Sequence, residues 1–166
     1  MDNIVIIGSS RHAKVVIDVI ERENKYNIVG LIDKFRKIGE ETLGYKIIGK
    51  VEDIPIFIEK YSIIGGIIAI GDNWIRKKIY EKIITIEPRF KFIKAIHPNA
   101  QIAKNVKIGK FTAISLGANI INDITIKEHT IIGAGSLVVK DIPEFVVAYG
   151  VPAKVIRERN VGEKYL

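Results

Sequence analysis

An aliphatic residue stands at every sixth position over a long stretch of the chain: Ile96, Ile102, Ile108, Ile114, Ile120, Ile126, Ile132 and Val138. Four residues after each rung comes a mostly small or β-branched side chain: Ala100, Val106, Thr112, Ala118, Ile124, Thr130 and Ser136. A helix repeats every 3.6 residues and a simple strand every two, so neither produces a strict period of six. A hexapeptide repeat does, as short strands laid along the three faces of a triangular coil, the aliphatic residue inward and the small one near the corner. Gly109, Gly133 and Gly135 fall where a tight corner or a close backbone approach would place glycine. Up to Val138 the ladder makes about two and a third coils and rises on the order of 11 Å at the inter-strand spacing. Repeat structures need about three units to bury a core. Cover is therefore expected from the first half, from the tail after Asp141 or from other subunits, and an oligomer is the physical expectation.

Before the ladder the periods differ. Asn3–Gly8 is an apolar run ending in glycine, the pattern of a buried parallel strand. Arg11–Glu23 presents Val15, Val16, Ile17, Val19 and Ile20 as a helical apolar face. Asn27–Asp33 and Ile63–Ile70 read as further strands, Trp74–Ile84 as a helix and Phe90–Ile96 as a last strand. Between them Tyr45–Ile48 fits a short strand, and Val51–Tyr61 a helix with Pro55 near its first turn. Such alternation implies a small parallel α/β sheet. The expected division is residues 1–95 and 96–166, the latter including a C-terminal tail.

Composition narrows the function classes. The 166 residues contain no cysteine, which removes disulfides, thiolate zinc sites and a cysteine nucleophile, and no other metal site is expected. No apolar run approaches the roughly 18 residues of a membrane span, and the start of the chain lacks a secretory pattern, so a cytoplasmic protein is expected. The net charge of +7 is spread as +4 before residue 96 and +3 after it, without aromatic interleaving. That disfavours nucleic acid and suits small polyanions, or simply a solvated lysine-rich surface.

Several groups could carry chemistry. Gly8-Ser9-Ser10-Arg11-His12 joins the first strand to the first helix, where free N–H groups suit a diphosphate, or where Ser9 or Ser10 merely caps the helix. Asp33 ends the second strand, where a carboxylate can meet a ribose or base, and Lys34 beside it can meet a phosphate. Gly71, Asp72 and Asn73 follow the third strand at the usual ligand edge of an open sheet, with Arg76 one turn into the next helix. Among the three histidines, His97 before Pro98 reads as a hinge residue. His129 lies three residues past Ile126, near a corner, and is expected to face solvent; it is also the one candidate base within the coils.

Taken together, the stretches IVIIGSSRHAKVVIDVI, IVGLIDK, IIAIGDNWIRKKI, FIKAIHPNAQIAKNVKIG and IIGAGSLVVKDIPEFVVAYGVPAKVI resemble the sialic acid O-acetyltransferase and bacillosamine N-acetyltransferase family of bacterial sugar acyltransferases. The resemblance implies an α/β N-terminal Rossmann-like domain followed by a short left-handed parallel β-helix. It also implies a homotrimer with acetyl-CoA as co-substrate, lying along the coils, and a nucleotide sugar on the N-terminal domain. By that likeness Gly8, Ser9, Ser10, Arg11, His12, Asp33, Lys34, Gly71, Asn73 and Arg76 are substrate-binding candidates. Gly133, Ala134 and Gly135, with Gly150, Pro152, Ala153 and Lys154, are candidates for the coenzyme, and Arg157 and Arg159 for its phosphates. The family's usual base is a histidine in a segment resembling VVDHDCVIG. The nearest stretch here is VVKDI, with Lys140 in the histidine's place. The resemblance thus leaves two readings: a sugar O- or N-acetyltransferase of surface-glycan biosynthesis, or a nucleotide-sugar-binding trimeric scaffold lacking the base. A hydride-transfer enzyme is disfavoured because serines replace the glycines of GxGxxG.

Overall fold

A computed structural model describes residues 1–98 and 101–163. Ala100, the small residue of the first hexad, lies outside the described residues. The chain forms two compact units. One comprises Met1–Gly71 and Ile75–Pro98; the other comprises Asp72–Trp74 and the chain beyond Pro98.

In the first unit the elements are β1 (Asp2–Ile7), α1 (Arg11–Glu23), β2 (Tyr26–Ile32), β3 (Glu41–Thr42), β4 (Tyr45–Gly49), α2 (Ile54–Tyr61), β5 (Ile63–Ile68), α3 (Asn73–Ile86) and β6 (Lys91–Phe92). The sheet order is β3-β4-β2-β1-β5-β6. All neighbours run parallel except β3 against β4. Alternation along β1 divides the core. Ile4 and Ile6 pack with Ala13, Ile17 and Ile20 of α1, while Val5 and Ile7 pack with Ile54 and Phe57 of α2 and Ile83 of α3. A strand buried on both faces must be apolar throughout, which is why this segment lacks polar alternation. The expected strand over Phe90–Ile96 shrinks to Lys91–Phe92, and β3 is an element the sequence reading did not anticipate.

The second unit continues with β7 (Gln101–Ile102), β8 (Lys107–Ile108), β9 (Ala113–Ile114), β10 (Asn119–Ile120), β11 (Thr125–Ile126), β12 (Ile131–Ile132), β13 (Leu137–Val138), β14 (Val146–Gly150) and β15 (Ala153–Glu158). Each of β7, β8, β9 and β10 pairs in parallel with the strand 18 residues later. Ile102, Ile120 and Val138 form one ladder, Ile108 and Ile126 a second, Ile114 and Ile132 a third. This three-faced parallel coil is the architecture expected from the six-residue period. Two features differ. Ile96 is not a rung: it belongs to the first unit, where its N–H donates to Glu23 Oε2 at 3.2 Å. The coil also runs past Val138, because Ile142 bridges Ile126 and Ala148 pairs with Ile132, each 16 residues on. The extra rungs escape the six-residue count because the chain omits two residues there. The tail is a β14–β15 antiparallel hairpin.

Burial follows the coil. Ile120, Ile126, Ile132, Val138, Ile142 and Ala148 form its core, whereas Ile108 in the first coil remains 41% exposed. A second six-residue rhythm sits at the corners. Asn105, Phe111, Gly117, Asp123, His129 and Gly135 all have φ between 55° and 70°. Asn, Asp, His and Gly are the residue types that tolerate this left-handed region; Phe111 is the exception.

Candidate functional site

The first group lies at the ends of β1, β2 and β5 in the first unit. Gly8 leaves β1 with φ +111°, and a Cβ there would stand 2.9 Å from Ala69 O. Only glycine can make this turn, which then delivers Ser9 and Ser10 to the start of α1. Ser10 is the N-cap residue but makes no side-chain capping bond. Ser9 is buried, and its hydroxyl donates to Asp33 Oδ2 at 2.5 Å. Asp33 Oδ1 accepts the N–H groups of Phe35 (2.8 Å) and Arg36 (3.3 Å). Thr42 Oγ1 donates to Ser9 O at 3.1 Å and accepts from Arg36 Nη1 at 2.7 Å. Ser9 and Asp33, both expected to meet ligand, tie the loop after β1 to the loop after β2.

Cations line the same edge. Arg11, His12 and Lys34 are at the surface. Arg76 Nη1 donates to the carbonyls of Ile70 and Gly71, each at 2.8 Å, which fixes the guanidinium at the end of β5. Desolvation first, and the Arg76 charge second, lower the pKa of His12 below its ordinary 6.5. The edge thus carries one guanidinium fixed by backbone carbonyls beside the exposed cationic side chains of Arg11 and Lys34. Asn73 does not join it. That side chain is fully buried in the second unit, and its Nδ2 donates to Phe111 O at 2.7 Å.

The second group lies on the coil. Ser136, fully buried, donates from Oγ to Gly133 O at 2.7 Å and accepts from Gly150 N at 3.3 Å. One hydroxyl thereby joins two of the segments expected to meet the coenzyme. Gly133 donates to Ala148 O at 2.9 Å and Gly135 to Leu116 O at 3.0 Å. A Cβ on Gly133 would sit 2.6 Å from Tyr149 Cβ, so glycine there allows β14 to close on β12; Gly135 is a left-handed corner. Ala134 is exposed on the same turn. Pro152, after a cis peptide bond, turns the hairpin, with Ala153 opposite Gly150 and Lys154 opposite Tyr149. Lys154 is exposed, and Arg157 pairs with Glu163. Arg159 is not a surface cation: it is 4% exposed and donates from Nη1 to His129 O at 2.9 Å.

His129 is a corner residue, as its spacing implies, but its expected solvent exposure is corrected to 2%. Its ring lies 5.0 Å from Phe111 and 5.0 Å from Phe145, with Trp74 stacked at 4.3 Å. Phe111 precedes it by one coil and Phe145 follows it by one shortened coil. The three therefore form a column at one corner whose spacing is the coil rise. Sequence reasoning missed the column. The available signal was Phe111 itself, an aromatic three residues past a rung where its counterparts are Asn, Gly, Asp and His.

The chain thus joins a mostly parallel α/β sheet to a parallel coil with an 18-residue register. Residues 3–83 match the PglD N-terminal domain family. UDP-N-acetylbacillosamine N-acetyltransferase of Bacillus subtilis (strain 168) is 29% identical over 115 residues, covering 69% of this chain and 51% of that protein. An uncharacterized protein of Acanthamoeba polyphaga mimivirus is 32% identical over 118 residues, covering 71% of this chain and 22% of that protein. The chain thus spans about half the length or less of the curated relatives it matches. Among solved structures, a histidine-to-asparagine mutant of perosamine N-acetyltransferase from Caulobacter crescentus, in complex with CoA and GDP-perosamine, aligns over 95% of this chain and 98% of its own. The TM-score is 0.60 and the identity 25%. The chain is thus similar to sugar N-acetyltransferases over most of its length, and its residues 3–83 to the PglD N-terminal domain family.

Proposed function

We propose that the protein transfers the acetyl group of acetyl-CoA to an amino or hydroxyl group of a nucleotide-linked or free amino sugar or sialic acid, in surface-glycan biosynthesis in the cytoplasm. The carrying observation is the likeness, over nearly the whole chain, to an acetyltransferase whose structure holds CoA and a nucleotide-linked amino sugar. The named N-acetyltransferase relatives favour an amino acceptor. In such a reaction the acceptor nitrogen attacks the thioester carbonyl, the tetrahedral oxyanion collapses, CoA leaves as its thiolate and the nitrogen gives up a proton. The edge bearing Arg11, His12, Lys34 and Arg76 would hold the nucleotide diphosphate. The turns at Gly133–Gly135 and Gly150–Lys154 would line the coenzyme. The coil would wind left-handed, and the active form would be a homotrimer. Supporting the last point, Ile108, Leu116 and Ile121 are 41%, 85% and 40% exposed on a coil too short to cover itself.

A second reading is favoured by the burial of His129. As the base it would have to leave a column of three rings, and Lys140 stands where the family carries its histidine. That reading is a nucleotide-sugar-binding trimeric scaffold without transfer. Thiol release from acetyl-CoA, measured against a panel of UDP-amino sugars, GDP-perosamine and sialic acid, separates the two. Acceptor-dependent thiol release supports transfer. No release, with a nucleotide sugar still raising the melting temperature, leaves the scaffold.

A further inference from the structure

Phe35 is 90% exposed, the most exposed aromatic ring among the described residues of the first unit. Scattered exposed aliphatics such as Ile38 and Ile56 occur in the same unit, as on most surfaces; Phe35 differs from them in being an aromatic ring. Here the backbone beneath it is fixed. Phe35 N–H and Arg36 N–H both donate to Asp33 Oδ1, and Arg36 in turn holds Glu40 through Nε at 2.8 Å and Thr42 through Nη1. The same Asp33 carboxylate accepts from Ser9, and Thr42 returns a bond to Ser9 O. One carboxylate therefore sets the position of the Phe35 backbone relative to the loop that begins at Gly8. Lys34 Nζ stands 5.7 Å from the Phe35 ring centroid, adding a cation beside an apolar face.

We infer that Phe35 is the nucleobase platform of the proposed nucleotide-sugar site: the base stacks on its ring while the diphosphate lies toward the Gly8–His12 loop. The inference rests on the substrate reading above and adds a specificity-determining residue to it. Stacking suits this position because a flat ring in water offers a π-face to any base, whereas the neighbouring exposed aliphatics Ile38 and Leu43 offer none. Recognition at Phe35 is by the area of its ring.

The test uses the full chain with UDP, GDP and pyrophosphate as probes in titration calorimetry. Phe35→Ala is expected to weaken UDP or GDP binding by roughly five- to hundredfold, the range of one base–aromatic stack. Pyrophosphate binding stays unchanged. Phe35→Trp is expected to restore nucleotide affinity and to show fluorescence quenching by the nucleotide but not by pyrophosphate, against wild-type protein as the Trp74 baseline. Nucleotide affinity unaltered by Phe35→Ala overturns this inference alone, as does nucleotide binding without quenching in Phe35→Trp. Absence of any nucleotide binding by the wild-type chain overturns this inference together with the substrate reading.

Discussion

Replacing His129 separates a structural ring from a catalytic base. In His129→Ala the column at the coil corner loses its middle member. Three ring contacts disappear, at 4.3 Å to Trp74 and 5.0 Å to each of Phe111 and Phe145. Aromatic pairs contribute about 0.5–1.5 kcal/mol each beyond area burial. A side chain that is 2% exposed also leaves a cavity when truncated. The backbone gives nothing back, because alanine is no better suited than histidine to φ 55°. A loss of about 3 kcal/mol follows, in the range of large-to-small core substitutions. At roughly 2–4 °C per kcal/mol for a chain of this size, the melting temperature falls by about 6–12 °C. His129→Phe keeps the column filled and is expected to stay within about 1.5 kcal/mol of wild type. Both are measured by thermal unfolding at a fixed protomer concentration, because assembly would shift the midpoint. If His129→Phe retains stability but loses acetyl transfer by about a hundredfold or more, the imidazole acts as a base and the structural assignment is wrong. If His129→Ala is as stable as wild type, the column does not support the coil.

Other substitutions probe the remaining elements. Gly109→Ala would place a Cβ 2.4 Å from Glu128 N, backbone against backbone between successive coils, and is expected to destabilise by about 2 kcal/mol or more in denaturant unfolding. Gly8→Ala combines φ +111° with the Ala69 carbonyl at 2.9 Å, and should reduce both stability and nucleotide affinity. His12 gives a pH signature. Its lowered pKa means that the unfolded chain takes up this proton first, so the group withdraws stability as pH falls below about 6.5. A diphosphate beside it reverses the preference. Affinity for a UDP-sugar should therefore rise from about pH 8 to about pH 6, and His12→Gln should flatten the profile. Light scattering should give about 56 kDa, three times the 18.6 kDa chain, and a monomer would sink the explanation of how so short a coil stays covered.

The parts of the fold set by repetition were legible in the chain. Burial on both faces makes Ile4–Ile7 of β1 uniformly apolar, and one-sided burial gives α1 its stripe, so the helix appears over the expected Arg11–Glu23. The rungs from Ile102 to Val138 announce themselves because each must fill the same coil interior. The candidate site was less legible, since its decisive bonds join residues far apart in sequence. Ser9 and Asp33 each have a ligand-like position, yet 24 residues separate them and no local pattern shows that they bind each other. Asn73 was misplaced for the same reason, its amide being directed to a carbonyl 38 residues away.

His129 shows how a repeat can mislead about one of its own members. Its place three residues beyond a rung correctly gives a corner, and corners of an isolated triangular coil face outward. Outward from one coil is not outward from the unit, however. Phe111 and Phe145 occupy the equivalent corners above and below, and Asp72–Trp74 belongs to the same unit and brings an indole to the third side. A lone histidine at such a corner would be a natural place to look for a base. At such a site an imidazole combines a flat face with tolerance of positive φ, which is what a structural role in the column requires. Phenylalanine at position 111 meets the first requirement while violating the second. On this argument the search for a proton acceptor moves away from the coil interior to accessible groups at the ligand surfaces, and the His129→Phe variant is the measurement that decides it.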